Sequence, residues 1–485
     1  MILICGGAKA YGAFGITKLA DAVIQTAKSA VLRFSQNNAW YLLFLLFSPE
    51  LLAITNFMEV WWPMDGRSTA NLRTKLRIGC LRFLCRQGEK ISKAKSAVLN
   101  PQFLILQSVA ILSVLIVHKQ NLGIQLFTDW FPFASFHMPL FVFISGYFFK
   151  PEAAKKAGTW LWKKARSLLL PFYIWNLIYG ILITVLLDQG IVSFGYRLSF
   201  YTYFIKPWLN NPGAGFNLAA WFVPALFLVM LVYIFLRKLK SFFTSFNEYL
   251  FLALLLAIGL LSVYSAAKGF RNSDGSRMLV RCGFLLPFYQ IGYLYRSRWE
   301  SKDRLGHFPY FLIIFTVQFV LFKCFGSVHY SAWNAKFPQG IPWLPFAASI
   351  TGIFFWLRIS RILTPALKSS RLIRYAGQNT WTVMMHHSIS FFLMNCGLAL
   401  LAVWGFLDGF DWTGFREEMW YTYIPGDEHF VFFYLLIGMV FPLTIKYLYE
   451  KMILYLNRKI NWTKIKIWSL KMRCSILFKK KPKEK

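Results

Sequence analysis

Four side chains in this sequence are of types that move a proton or stabilise negative charge from within apolar surroundings: His118, His137, Arg281 and His387. Each sits in, or at the end of, an apolar run of about membrane-spanning length, where an ionisable group is costly unless it faces a partner or water. Histidine suits general-base work because a reference pKa of about 6.5 leaves it mostly neutral near pH 7 yet able to accept a proton. Arginine, or a histidine N–H, suits the complementary task of donating to an oxyanion in a water-poor site. The histidines lack ligand spacing such as HExxH, so no metal is expected.

Spacing narrows the reading. In PQFLILQSVAILSVLIVHKQ (101–120), Gln107 and His118 stand eleven positions apart. At about 100° per residue this is roughly 20° beyond three turns, so both lie on one face, about 16 Å apart along the axis. His118 alone also reads as an interfacial histidine. The run FPFASFHMPLFVFISGYFFK (131–150) adds His137, with Ser145 and Gly146 deeper in. Those two either touch substrate or are small residues that permit close helix approach. In GQNTWTVMMHHSISFF (377–392), His386 and His387 differ by about 100° in azimuth, so at most one faces a narrow site. Asn379 or Thr380 stands where a helix cap is expected.

These groups must be positioned by membrane helices. The chain has 485 residues, 57% hydrophobic and 15% charged, with a formal net charge of +34. A soluble chain is typically about one quarter charged. Apolar runs fall near 103–118, 131–149, 167–187, 219–236, 249–264, 278–295, 309–324, 343–357, 380–404 and 430–448. The fold class expected is therefore all-α, a polytopic membrane protein with about ten transmembrane helices. Connectors rich in Lys and Arg alternate with poorer ones, the last of which, 405–429, is acidic. That alternation places both ends of the ten-span unit in the cytoplasm. The Lys and Arg lie in short blocks between apolar runs, so they read as topology and membrane-lipid contact, with no nucleic acid partner. Residues 99–450 are read as the membrane domain, 451–485 as a basic cytoplasmic tail and 1–98 as an unassigned segment. The run 40–58 is interrupted by SPE, GGAKAYGAFG matches no nucleotide-binding loop, and the start lacks a signal-peptide pattern. Seven scattered cysteines without a CxxC pair imply no disulfide framework or zinc site. Oligomeric state leaves no trace in the sequence.

Six segments, in order, resemble the acyltransferase-3 family of integral membrane acyltransferases, especially its bacterial polysaccharide O-acetyltransferase branch (the fucose 4-O-acetylase-like proteins). They are LQSVAILSVLIVH (106–118), SFHMPLFVFISGYFFK (135–150), LLLPFYIWN (168–176), AAWFVPALFLVMLVY (219–233), GFLLPFYQIGYLY (283–295) and AGQNTWTVMMHH (376–387). The resemblance implies transfer of an acyl group, most often acetyl from acetyl-CoA, to a hydroxyl of a cell-surface carbohydrate or its lipid-linked precursor. It implies a multi-pass protein of the bacterial inner or plasma membrane. In the family a basic residue precedes the catalytic histidine by eleven positions. His118 matches that histidine, but Gln107 occupies the basic position and Ser108 stands where glycine is common. On this reading His118 is the general base, and Arg281, His137 or His387, in that order, is the oxyanion donor. Gln107, Ser145, Trp221 and Asn379 line the substrate. Lys150, Lys163, Lys164 and Arg166 meet the donor's phosphates in place of the missing cation. Direct transfer and an acyl-histidine intermediate both remain open. The rival readings are a transporter or flippase of a lipid-linked saccharide and a catalytically weak family member.

Overall fold

The computed structural model describes residues 87–89, 91, 100–119, 130–209, 215–242 and 247–459. The readings of the glycine-rich start, of 40–58, of nearly all of 1–98 and of the tail beyond Lys459 lie outside the described residues. Two compact units are present: Asn100–Leu443, and a second comprising Met1–Leu99 with Thr444–Lys485. In the second, Gly88 lies against the side chain of Asn457.

All ten apolar runs are helical, and no strand occurs among the described residues. In chain order they are α1 (Pro101–His118), α2 (Phe133–Tyr147), α3 (Leu170–Asp188), α4 (Phe222–Lys240), α5 (Glu248–Ala267), α6 (Asp274–Leu294), α7 (His307–Phe325) and α8 (Leu344–Leu367). There follow a short helix, α9 (Arg371–Gln378), then α10 (Thr380–Val403) and α11 (Val431–Lys459). Boundaries follow local chemistry. The Asn100 side chain accepts from Gln102 N with Pro101 as first residue, Asn247 accepts from Tyr249 N and Leu250 N, and the Ser370 hydroxyl accepts from Ile373 N.

Among the described residues, eight helices are long and apolar enough to cross a membrane. The remaining two are α2, only 15 residues with Pro139 inside it, and α6, whose 21 residues include Asp274, Arg277 and Arg281. Both are central. Nearly every α2 side chain and most of α6 are buried by neighbouring helices, so contact with lipid does not dictate their composition. Peripheral α7 is the opposite case, with only Gln318 and Leu321 buried.

The α2–α6 crossing is close because glycines sit at it. A Cβ on Gly146 would collide with the Tyr289 carbonyl, and one on Gly292 would collide with the Phe143 carbonyl. Small residues let two backbones meet where lipid supplies no hydrophobic driving force between helices. Around this pair, α1 packs on α2, α8 and α9, and α5 packs on α6. Across α1, Gly377 of α9 lies against the Leu104 carbonyl, and the Ser108 hydroxyl is 3.0 Å from Leu104 O and 3.3 Å from Ile373 O. Gly292→Val should therefore cost about 1–3 kcal/mol, the usual range for overpacking. It should appear as a lowered unfolding temperature in detergent, whereas Gly158→Val, at a glycine with open space around it, should change little.

Candidate active site

The last residue of α1 meets the second turn of α10. His118 Nδ1 lies 2.8 Å from His387 Nε2, and His387 Nδ1 lies 3.0 Å from the Val383 carbonyl. The carbonyl only accepts, so His387 Nδ1 carries its proton. In the neutral ring Nε2 is then a bare acceptor, which requires His118 Nδ1 to donate. The lone pair of His118 is left on Nε2. This is the arrangement of a base whose tautomer is set by a hydrogen bond to its other nitrogen.

Trp420 covers the pair. Its ring stacks on His118 at 4.3 Å with 27° between planes and lies 6.1 Å from His387. Trp420 belongs to the segment after the short helix Trp412–Glu417, and three groups pin that segment. The Lys119 ammonium donates to Thr422 Oγ1 at 2.9 Å and to the Tyr421 carbonyl at 3.3 Å. The Asn395 amide donates to the same carbonyl at 3.0 Å, and Asn395 Oδ1 accepts from the Tyr434 hydroxyl at 2.5 Å. Tyr434 in turn accepts from Tyr423 N. Lys119 is 1% exposed, and its Nζ stands 4.3 Å from the ring centres of both Phe391 and Tyr434. A buried ammonium is tolerated when donors and ring faces replace its hydration.

The other expected residues fall in several places. His137 and Lys119 are within Coulombic reach of His118, and His137 Nδ1 donates to the Phe133 carbonyl at 2.7 Å, leaving Nε2 as an acceptor in the neutral ring. Arg281 is fully buried between the rings of Trp221 and Trp333, 4.9 and 5.2 Å from their centres. Its Nε donates to the Trp333 carbonyl at 2.8 Å, and a terminal nitrogen reaches the same oxygen. Trp221 thus serves as a wall of the arginine's cage. The two consecutive histidines divide, as their azimuths require: His386 turns to α3, where its Nδ1 is 2.6 Å from the Tyr179 hydroxyl.

Ser145 donates to the Phe141 carbonyl of its own helix at 2.8 Å, and Asn379 donates to the Tyr375 carbonyl at 2.9 Å without capping α10 through its side chain. Gln107 is half-buried on α1. Lys150, Lys163 and Arg166 are exposed, while Lys164 is half-buried with Nζ 5.5 Å from the Trp160 ring. Lys119, Asn395, Trp420, Tyr421 and Tyr434 were not anticipated. Lys119 carried a signal, since it follows His118 directly at the end of an apolar run.

A polytopic helical membrane protein with a hydrogen-bonded histidine pair at a helix end is the class these features define. The family model described as an acyltransferase domain matches residues 103–409, more than half of the chain, and the chain belongs to this acyltransferase-3 family. Neither a curated protein nor a solved structure matches it. His118 and His387 lie inside the matched stretch, while Trp420 and Tyr434 lie beyond it.

If Lys119 acts by holding Trp420 over His118, the two residues form one unit. Lys119→Met and Trp420→Ala should each lower acyl transfer, and the double variant should be no worse than the poorer single one. That coupling would be about 0.5–3 kcal/mol in a double-mutant cycle; strictly additive losses would separate the two residues.

Proposed function

We propose that this acyltransferase moves an acetyl or other acyl group from its coenzyme A thioester to a hydroxyl of a cell-envelope carbohydrate or its lipid-linked precursor, with His118 as general base. The observation that carries the reading is the His118–His387–Val383 chain, which aims a lone pair from His118 Nε2 while holding the ring through Nδ1. The acceptor hydroxyl gives its proton to Nε2 as its oxygen attacks the thioester carbonyl. The carbon–sulfur bond breaks, an ester forms, and the proton passes to the leaving thiolate. His387 Nε2 accepts from Nδ1 throughout and thereby stabilises the imidazolium formed in between, as the orienting member of a catalytic triad does.

The donor is proposed to enter from the end of the bundle that carries Lys150, Lys163, Lys164 and Arg166, which is the cytoplasmic end by the charge alternation. Gln107 faces that route with a neutral amide. It supplies hydrogen bonds without the charge assistance that roughly doubles their strength. For the oxyanion, Arg281 in its tryptophan cage is a delocalised donor set in a water-poor place. His137, whose Nε2 accepts in the neutral ring, fits better as a contact to an acceptor hydroxyl.

The deciding experiment is mass spectrometry of envelope polysaccharide and its lipid-linked precursors from cells with the intact protein, with none, and with His118→Ala. An acetyl-sized increment that needs both the protein and His118 is expected. Unmodified carbohydrate in altered amount would turn the reading to transport of a lipid-linked saccharide. In purified protein, His118→Ala should lower turnover by about 10²–10⁴-fold. His387→Phe, which keeps the stacked ring but removes the acceptor for Nδ1–H, should lower kcat while leaving the donor KM unchanged. Gln107→Arg should lower the acyl-CoA KM roughly fivefold, the effect of about 1 kcal/mol from one strengthened hydrogen bond; an unchanged KM would remove Gln107 from the donor route.

A further inference from the structure

A second polar cluster lies behind the histidine pair, on the face of α10 that His386 presents to α3. Asn217, just before the 3-10 turn Leu218–Trp221, donates through Nδ2 to Asn176 Oδ1 of α3 at 2.9 Å. The two residues are 0% and 1% exposed. The other half of each carboxamide, Asn217 Oδ1 and Asn176 Nδ2, has no hydrogen-bond partner in the protein. Such groups are expensive to leave bare in a helical membrane interior. The bare oxygen is an acceptor and the bare nitrogen a donor, on two carboxamides already joined by one hydrogen bond.

A hydroxyl matches that pair by its chemistry. It accepts from Asn176 Nδ2 and donates to Asn217 Oδ1 at once, closing the ring that the amides leave half-formed, whereas a carbonyl or a cation satisfies only one side. The surroundings suit a hydroxylated ring. Tyr179, three residues beyond Asn176, holds His386, and the Trp175 ring lies 4.4 Å from the His386 ring in an edge-on arrangement. Trp381 adds a second buried donor without a partner, its Nε1, with its ring 6.4 Å from that of His386. Phe216 closes on Tyr179 from the Asn217 side at 6.3 Å.

We propose that the Asn176–Asn217 pair is a subsite for a hydroxyl of the carbohydrate acceptor, next to the turn of α10 that carries His387. This rests on the reading that the acceptor is a sugar alcohol group. Leucine at both positions tests it, because replacing two polar partners by apolar groups of similar shape is nearly neutral when they hold only water. The full-length protein in detergent is heated with methyl α-D-glucopyranoside, methyl α-D-galactopyranoside or methyl α-D-mannopyranoside, and separately with acetyl-CoA.

At least one glycoside should raise the unfolding temperature of the wild type. The N176L/N217L variant should bind it roughly tenfold more weakly, the factor that one well-placed hydrogen bond carries, while keeping its protection by acetyl-CoA. Should that variant fail to fold, Asn176→Ala should show the same selective loss. Equal glycoside protection in the variant makes the pair a water site and overturns the proposal, as does a wild type that no glycoside protects. Glycoside protection that depends on the pair, in a protein that acetyl-CoA does not protect, would uphold the subsite and remove the acyl-CoA reading.

Discussion

The 2.8 Å bond between His118 Nδ1 and His387 Nε2 is the constraint to which the rest of the bundle answers. It joins the last residue of one helix to the second turn of another, 269 positions away. Its polarity is fixed from outside by a carbonyl that can only accept. If the ends of α1 and α10 drifted by 1 Å, the bond would be lost and the proton on His118 would no longer be confined to Nδ1. The fold therefore ties α1 down along its length. Gly377 seats α9 against Leu104, Ser108 reaches the Ile373 carbonyl, and α9 leads directly into α10. The same short helix that touches α1 sets where α10 begins, so the two halves of the pair share one ruler.

Polar groups elsewhere follow the rule that charge in an apolar bundle comes with its partner. At the end of the bundle opposite His118, Arg237 makes a two-point contact with Glu248, at 2.9 and 3.1 Å, and Glu248 also takes Lys240 and Gln290. Arg358 and Arg361 share Asp303. These clusters tie helix ends together through shared carboxylates. Beside the histidine pair, Lys119 is matched to a carbonyl, a hydroxyl and two ring faces. Among the contacts of Arg281 are a carbonyl and two tryptophan rings.

Much of this was legible in the sequence and some was not, for physical reasons. Apolar runs located all ten helices because lipid and buried backbone impose the same demand along each segment. Helical azimuth separated His386 from His387, and the run 103–118 ended on the histidine that bonds His387. What azimuth cannot supply is the neighbour. Trp420 sits in a segment whose acids mark it as a loop, and nothing in a loop's composition says that one of its rings will lie on a histidine three hundred positions earlier. Lys119 resembles any lysine closing a span until the fold buries it. The two central helices were located as well, but their setting was not legible: α2 is shorter and α6 more polar than a lipid-facing span, since most of their side chains are buried by protein. Asn176 is one polar residue in an apolar run, and its partner is Asn217, forty-one positions away.

The division of labour on α10 carries the argument one step further. His387 and His386 are successive residues, so a rotation or shift of that turn moves both. One is bonded to His118, and the other through Tyr179 to the helix that holds Asn176. A hydroxyl that settles between Asn176 and Asn217 stiffens α3 and the segment entering α4 against this turn of α10. On the proposed reading, the orientation of His118 would be tied to the same contacts that recognise the acceptor. A site built this way needs no moving part to couple recognition to chemistry, because the two histidines share a backbone that cannot adjust to one without the other.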